Sequence, residues 1–194
     1  MNQDLLLKYF AHHLELTPQE EKELLARFKF REYLKNQFVT KAGDINKHVN
    51  FVVKGCLKVF YLDDLGNEHI INFAVENWWT GDLKSFLTQT PAYYHVQCIE
   101  DSVLAHVSYD DMEELYVLVP KLERLFRIIT QNAYVNSQKR ITEYQRLTAK
   151  EKYQSFKNDY PQFVERVPQY LIASYLGMTP EFLSSVKRQI PGNQ

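Results

Sequence analysis

The sequence predicts an α+β fold: an antiparallel β-roll, a long helix and a C-terminal helix-turn-helix. Three observations predict it. From about residue 32 to 107, short runs rich in Val, Ile, Phe and Tyr are punctuated by glycine-bearing turns. From Pro120 onward, apolar residues recur at helical spacing. From Gln169 to Arg188, two short helical patterns flank Gly177 and the Thr179-Pro180 pair.

The N-terminal stretch, residues 3–30, reads as helical. Thr17-Pro18-Gln19-Glu20 supplies an N-cap, a Pro at the first helical position and an early acid, and Leu24, Leu25 and Phe28 follow at helical spacing. The roll then begins. Gly43-Asp44, Gly55, Asp63 to Asn67 and Gly81-Asp82 mark its turns. Leu57 to Tyr61 leads into a turn and His69 to Phe73 leads out of it, which is a hairpin signal, and Val96 to Val107 supplies the last strands.

Ser108-Tyr109-Asp110-Asp111 resembles a capping box and starts a helix. Pro120 restarts a longer one, to about residue 147, with Leu122, Leu125, Phe126, Ile129 and Ala133 on one face and Ile141, Tyr144 and Leu147 resuming the stripe. About 28 residues of helix would span about 40 Å, long for a small domain, so a partner helix from a second copy is the expected cover; packing on its own roll is the other way to bury the stripe. Thr148 to Asn158 reads as a further short helix, broken at Tyr160-Pro161. The expected divisions are 1–119, 120–147 and 148–194.

Charge follows the same division. Residues 1–120 hold 11 Lys+Arg against 18 Asp+Glu, whereas residues 121–194 hold 12 against 6. An acidic first part joined to a basic last part points to a sensing module attached to a polyanion-binding one. No apolar run reaches the length of a membrane span, and the N-terminus lacks the basic start and small-residue cleavage site of a signal peptide, so the cytoplasm is the expected location. Cys56 and Cys98 stand alone and cannot hold an iron–sulfur cluster or a Cys₄ zinc. The histidines, His12, His13, His48, His69, His95 and His106, form no His-x-His pair and have no Glu at matching ligand spacing. No P-loop, Gly-x-Ser-x-Gly or dinucleotide fingerprint is present. Neither a metal nor enzymatic activity is expected.

The last stretch carries the functional reading. Ile172, Leu176, Leu183 and Val186 supply apolar contacts, and Ala173 is small where a second helix crosses. Gly177 can take a positive φ at the end of the first helix, Met178 fills the corner, and Thr179 caps the second helix with Pro180 at its first position. Together these make a helix-turn-helix, whose second helix enters the major groove of DNA. Gln169, Thr179, Pro180, Glu181, Ser184, Ser185, Lys187 and Arg188 are the expected DNA-facing residues. Glu181 can accept from cytosine N4, the serines are adaptable contacts, and Lys187 and Arg188 suit phosphates.

This order of roll, long helix and helix-turn-helix resembles the cyclic-AMP receptor/Crp–Fnr family of bacterial regulators over nearly the whole chain. The residues that carry the resemblance are Gly43-Asp44, Phe51-Val52-Val53-Lys54-Gly55, Lys58-Val59-Phe60 and the turn at Gly66. Gly81-Asp82-Leu83 resembles the start of that family's phosphate-binding cassette, which prefers Gly-Glu-Leu. The resemblance implies a cyclic-nucleotide-binding-like roll, a dimerisation helix and a winged-helix-like C-terminal domain. It also implies a homodimeric transcription regulator with duplex DNA, a second copy and RNA polymerase as partners.

Two departures qualify those expectations. Family members that bind cyclic nucleotides grip the phosphate with an Arg followed by a small residue. Ala92-Tyr93 stands at that point here, and Asp82 is one methylene shorter than the family's acid. Burying a phosphate without a cation costs several kcal/mol, on the order of the ion-desolvation penalty. Cyclic AMP is therefore not the expected effector. Gly81, Asp82, Leu83, Ala92 and Tyr93 are the candidate pocket residues for some other small effector. Beyond Arg188 only six residues follow, so the wing is expected to be truncated. The competing readings are a sensory module of the same fold that does not bind DNA, and a small metal-dependent barrel enzyme.

Overall fold

The structure is a computed structural model that describes residues 2–190. It divides into two compact units, residues 1–61 with 71–129, and residues 62–70 with 130–194.

The first unit opens with α1 (Asn2–His13) and α2 (Pro18–Arg27). The break between them is set by Thr17, whose hydroxyl accepts from Glu20 N while the Glu20 carboxylate accepts from Thr17 N at 2.7 Å. Eight strands follow: β1 (Lys29–Tyr33), β2 (Phe38–Thr40), β3 (His48–Lys54), β4 (Leu57–Leu62), β5 (Glu68–Ala74), β6 (Trp79–Thr80), β7 (His95–Cys98) and β8 (Ser102–Ser108). They form two four-stranded sheets, ordered β1-β8-β3-β6 and β2-β7-β4-β5, and every register recorded is antiparallel.

Alternation along β3 shows how the roll is filled. Phe51 and Val53 face one way, into a core with Leu6 and Phe10 of α1, Leu24 of α2 and Phe28. Val52 faces the other way, into the space between the sheets, with Leu57, Val59, Val96 and Leu104. Trp79 anchors the first core, with its ring centroid 4.7 Å from that of Phe126 and 5.2 Å from that of Phe51, while its indole N–H donates to Tyr9 Oη at 3.0 Å. At Gly55 (φ +115°) a Cβ would meet the backbone of Ser102 at 2.8 Å, so this turn between β3 and β4 admits only glycine.

Two helices complete the first unit, α3 (Leu83–Thr88) and α4 (Tyr109–Leu118). Ser108 caps α4 as expected: its hydroxyl accepts from Asp111 N and donates to Asp111 Oδ2.

The long helix is α5 (Lys121–Arg146). It does not form a unit of its own: its first turns belong to the first unit and the remainder to the second. In the second unit it is followed by α6 (Ala149–Asp159), α7 (Pro161–Arg166), α8 (Gln169–Tyr175) and α9 (Pro180–Arg188). A reciprocal capping box between Thr148 and Glu151 starts α6. Pro161 ends α6 as expected, but it also occupies the first turn of α7, a helix the sequence pattern did not reveal. Tyr153, Phe156, Phe163, Leu171, Ile172, Leu183 and Val186 are buried in this unit. Lys139 ties α5 to α6 through Asp159 Oδ2 at 2.8 Å.

The tip of the β4–β5 hairpin, residues 62–70, clusters with these helices. Ser174 of α8 holds it: its hydroxyl donates to Glu68 O at 2.7 Å and accepts from Ile70 N at 3.1 Å.

Candidate nucleic-acid interface and barrel cassette

The turn between α8 and α9 is built as the sequence predicts. Gly177 has φ +67°, and the amides of Gly177 and Met178 reach back to Ser174 O and Ala173 O at 3.0 and 2.9 Å, closing the end of α8. Thr179 Oγ1 accepts from Phe182 N at 3.2 Å, and Pro180 takes the first helical position of α9. Ile172, Leu176, Leu183 and Val186 are buried, Ala173 is wholly buried, and Met178 is half-buried at the corner.

This packing leaves one face of α9 outside. Thr179, Pro180, Glu181, Ser184 and Arg188 are exposed, as is Gln169 at the start of α8. Ser185 and Lys187, expected on the same face, are only half-exposed. Lys187 leans toward Tyr153, with its ammonium 6.0 Å from the ring centroid. The sequence reading missed Phe182, which is 53 % exposed one position beyond Glu181. Its signal was available: it stands outside the apolar positions that pack α9 onto α8.

The stripe of α5 divides. Leu122 and Leu125 are buried in the chain's own core, with Phe126 and Ile129 packed against it. Leu122 and Leu125 are thus buried in the other way the sequence left open, against the chain's own roll and its helices. Ala133 is exposed, and beyond it Tyr134, Val135, Ile141 and Tyr144 remain exposed as well. Tyr134, Ile141 and Tyr144 stand at i, i+7 and i+10, the spacing of a coiled-coil seam.

The segment from Gly81 to Tyr94 is held together by Asp82, only 2 % exposed. Its Oδ1 accepts from Ser85 N at 2.9 Å and caps α3. Its Oδ2 accepts from Tyr93 N at 2.8 Å and Tyr94 N at 3.1 Å. Both oxygens are thus engaged by the backbone of the segment itself. Ala92 is buried, with its amide and carbonyl bound to Asp44 O and Gly43 N. Tyr93 is exposed, its ring 5.9 Å from that of Tyr61, and Leu83 and Lys84 are exposed on α3.

Among the described residues no cluster of three or more His, Cys, Asp or Glu is arranged to hold a metal ion, and no helix is long and apolar enough to cross a membrane. Cys56 and Cys98 are buried free thiols, and burial pushes the Cys98 thiol up to about 11. His106 is the most perturbed histidine. Burial first, then the positive neighbours His48 and Arg31, bring it down to about 4.

Comparison with known proteins agrees with this geometry. Residues 30–117 match the model of the cyclic nucleotide-binding domain. The chain is 26 % identical over 126 residues to the anaerobic regulatory protein of Pasteurella multocida, covering 63 % of this chain and 44 % of that protein. It is 23 % identical over 163 residues to the regulatory protein HlyX of Actinobacillus pleuropneumoniae, covering 77 % of this chain and 66 % of that one. The chain therefore spans less than two thirds of these relatives' lengths. Among solved structures, the c-di-GMP-responsive global regulator CLP of Xanthomonas campestris superposes with a TM-score of 0.72 at 16 % identity, over 89 % of this chain and 91 % of that one. FixK2 of Bradyrhizobium japonicum gives 0.74 at 17 % identity, over 84 % and 83 %. At such identities the likeness is one of fold.

Proposed function

We propose that the chain is a regulator of the Crp/Fnr type, on the match of residues 30–117 to the cyclic nucleotide-binding domain and the likeness to known regulators, and that it binds specific duplex DNA sites as a homodimer. The observation that supports this most is the α8–α9 pair, with its capped turn and its exposed α9 face. Glu181, Ser184 and Phe182 are the base-reading group. A carboxylate accepts from cytosine N4, a hydroxyl serves either partner, and an aromatic ring suits the thymine methyl. Arg188 and the less exposed Lys187 contact phosphate, which sets register without specifying sequence. Thr179 and Gln169 lie at the two helix starts, where backbone N–H groups also favour phosphate.

The exposed second half of the α5 stripe, around Tyr134, Val135 and Ile141, pairs two copies. Two α9 helices then enter successive major grooves about 34 Å apart on an inverted repeat.

The roll does not take cyclic AMP in this reading. Asp82 is already saturated by Ser85, Tyr93 and Tyr94. The position that would carry a phosphate-gripping arginine is the buried Ala92.

Selection of bound sites from a random-duplex pool by the purified protein, without added ligand, tests the proposal. Enrichment of an inverted repeat with half-sites about 10 bp apart supports a dimeric reader. A folded protein that enriches nothing would leave the helix-turn-helix as a packing unit, or as one awaiting a ligand.

A further inference from the structure

A cleft of about 590 Å³ opens between β1 and β2, a volume suited to a small molecule. Lys29, Arg31, Lys41, Lys47, His48 and His106 line it, and Asp44 is the one acid on its wall. The four Lys and Arg side chains among them run against the composition of residues 1–120, where acids outnumber bases 18 to 11.

Among the described residues, none of the four Lys and Arg side chains pairs with a carboxylate. Arg31 lies over the Tyr33 ring at 4.8 Å, and Lys41 over the Phe38 ring at 5.3 Å. These contacts hold the cations against the cleft wall without neutralising them. Neutral polar groups converge with them. His106 bridges Tyr33 Oη and Asn50 Oδ1, and Asn50 Nδ2 donates to Thr80 O at 3.1 Å. Like charges held together without a counter-charge repel, and a bound anion relieves that repulsion.

The loop carrying Lys41 and Lys47 is also stapled to the cassette. Gly43 N and Ala92 O, and Ala92 N and Asp44 O, bond at 2.9 and 2.8 Å. Asn46 donates from its side chain to Asp82 O at 3.0 Å and from its backbone to Ser85 Oγ at 2.8 Å. A ligand drawing on these lysines therefore bears on the segment organised by Asp82.

We propose that the cleft between β1 and β2 is a binding site, separate from the cassette, for a small polyanion carrying two or more phosphate or carboxylate groups. Its four Lys and Arg groups, on β1 and on the loop between β2 and β3, suit one compact ligand. Binding at this site is independent of DNA and can be measured without it.

Titration calorimetry of the full chain in low-salt buffer tests the site, with inorganic pyrophosphate and citrate as the two probes. Saturable binding of at least one is expected, and which of them binds separates phosphate from carboxylate chemistry. Arg31→Gln and Lys47→Gln, both at exposed positions, should each weaken it by about tenfold or more. Lys150→Gln, on the C-terminal unit, should leave it unchanged. The proposal is overturned if neither probe saturates at concentrations on the order of 10 mM. Equal weakening by Lys150→Gln overturns it too, since that would be general electrostatic uptake. So does Arg31-dependent binding of an acidic peptide alone, which would make the cleft a protein-docking surface.

Discussion

The ring of Tyr144 lies against Gly177 so closely that a Cβ there would sit 2.6 Å from Tyr144 Cε2 and 2.7 Å from its hydroxyl oxygen. The late part of the long helix thus touches the turn that presents the α9 face. The same Tyr144 ring carries Lys152 Nζ 4.1 Å from its centroid on its other contacts.

Gly177→Ala combines a positive-φ strain with this clash. The expected loss is on the order of 2 kcal/mol of stability in the C-terminal unit, with a larger loss of DNA affinity. Pairing it with Tyr144→Ala should recover the steric part and leave the backbone part. Urea unfolding of both variants measures this; a Gly177→Ala protein as stable as the parent would show that the turn adapts freely.

Asp82→Ala removes a helix cap and the shared acceptor of two backbone amides. A loss of about 2 kcal/mol is expected, with faster hydrogen exchange at Tyr93 and Tyr94. A change below about 0.5 kcal/mol would mean that water replaces the carboxylate and that its engagement by the segment is dispensable.

Cyclic AMP at about 1 mM should leave the melting temperature unmoved, because a ligand that binds only the folded state must raise it. A reproducible upward shift would show that the roll admits the nucleotide despite Ala92 and Tyr93.

His106 gives a pH signature. Its folded value, about 4, lies below the ordinary 6.5 chiefly because it is buried. The unfolded chain therefore takes up a proton first as pH falls. The stability this histidine contributes is fully present above about pH 6.5 and is lost progressively toward pH 4, on the order of 3 kcal/mol. His48, also lowered by burial, acts in the same direction. Glu20, held down to about 2 first by Lys121, loses its contribution only below the ordinary carboxylate range. Urea midpoints of the parent and His106→Gln between pH 7 and about 4 separate the two windows. A parallel pH dependence in both proteins would remove His106 as its source.

Ser174→Ala should cost about 1–2 kcal/mol through two lost hydrogen bonds, one of which leaves Ile70 N without its partner. Exchange of the Ile70 amide should rise most. If it stays protected, the hairpin tip is held by something other than this hydroxyl.

Much of this was legible in the sequence, and for local reasons. The caps at Thr17, Ser108 and Thr179 act within four residues, so neighbouring residues suffice to reveal them. The α8–α9 pair is nearly as local. What escaped depends on distant partners. Periodicity shows that the Leu122 and Leu125 face of α5 is covered, not that the roll covers it. Asp82 reads as a free acid until Tyr93 and Tyr94 fold back over it. Pro161 reads as a breaker, although a residue that ends one helix suits the start of the next. Lys29, Arg31, Lys41 and Lys47 look like scattered surface charge until β1 and β2 bring them to one cleft.

β5 lies at one edge of its sheet, with no strand beyond it among the described residues. An uncovered strand of that kind is a template on which another chain can zip. Ser174 occupies the carbonyl of Glu68 and the amide of Ile70, blocking that template at the start of β5. The same hydroxyl that fastens α8 thereby guards against aggregation, so a variant that frees the helix should also shorten the protein's shelf life in concentrated solution.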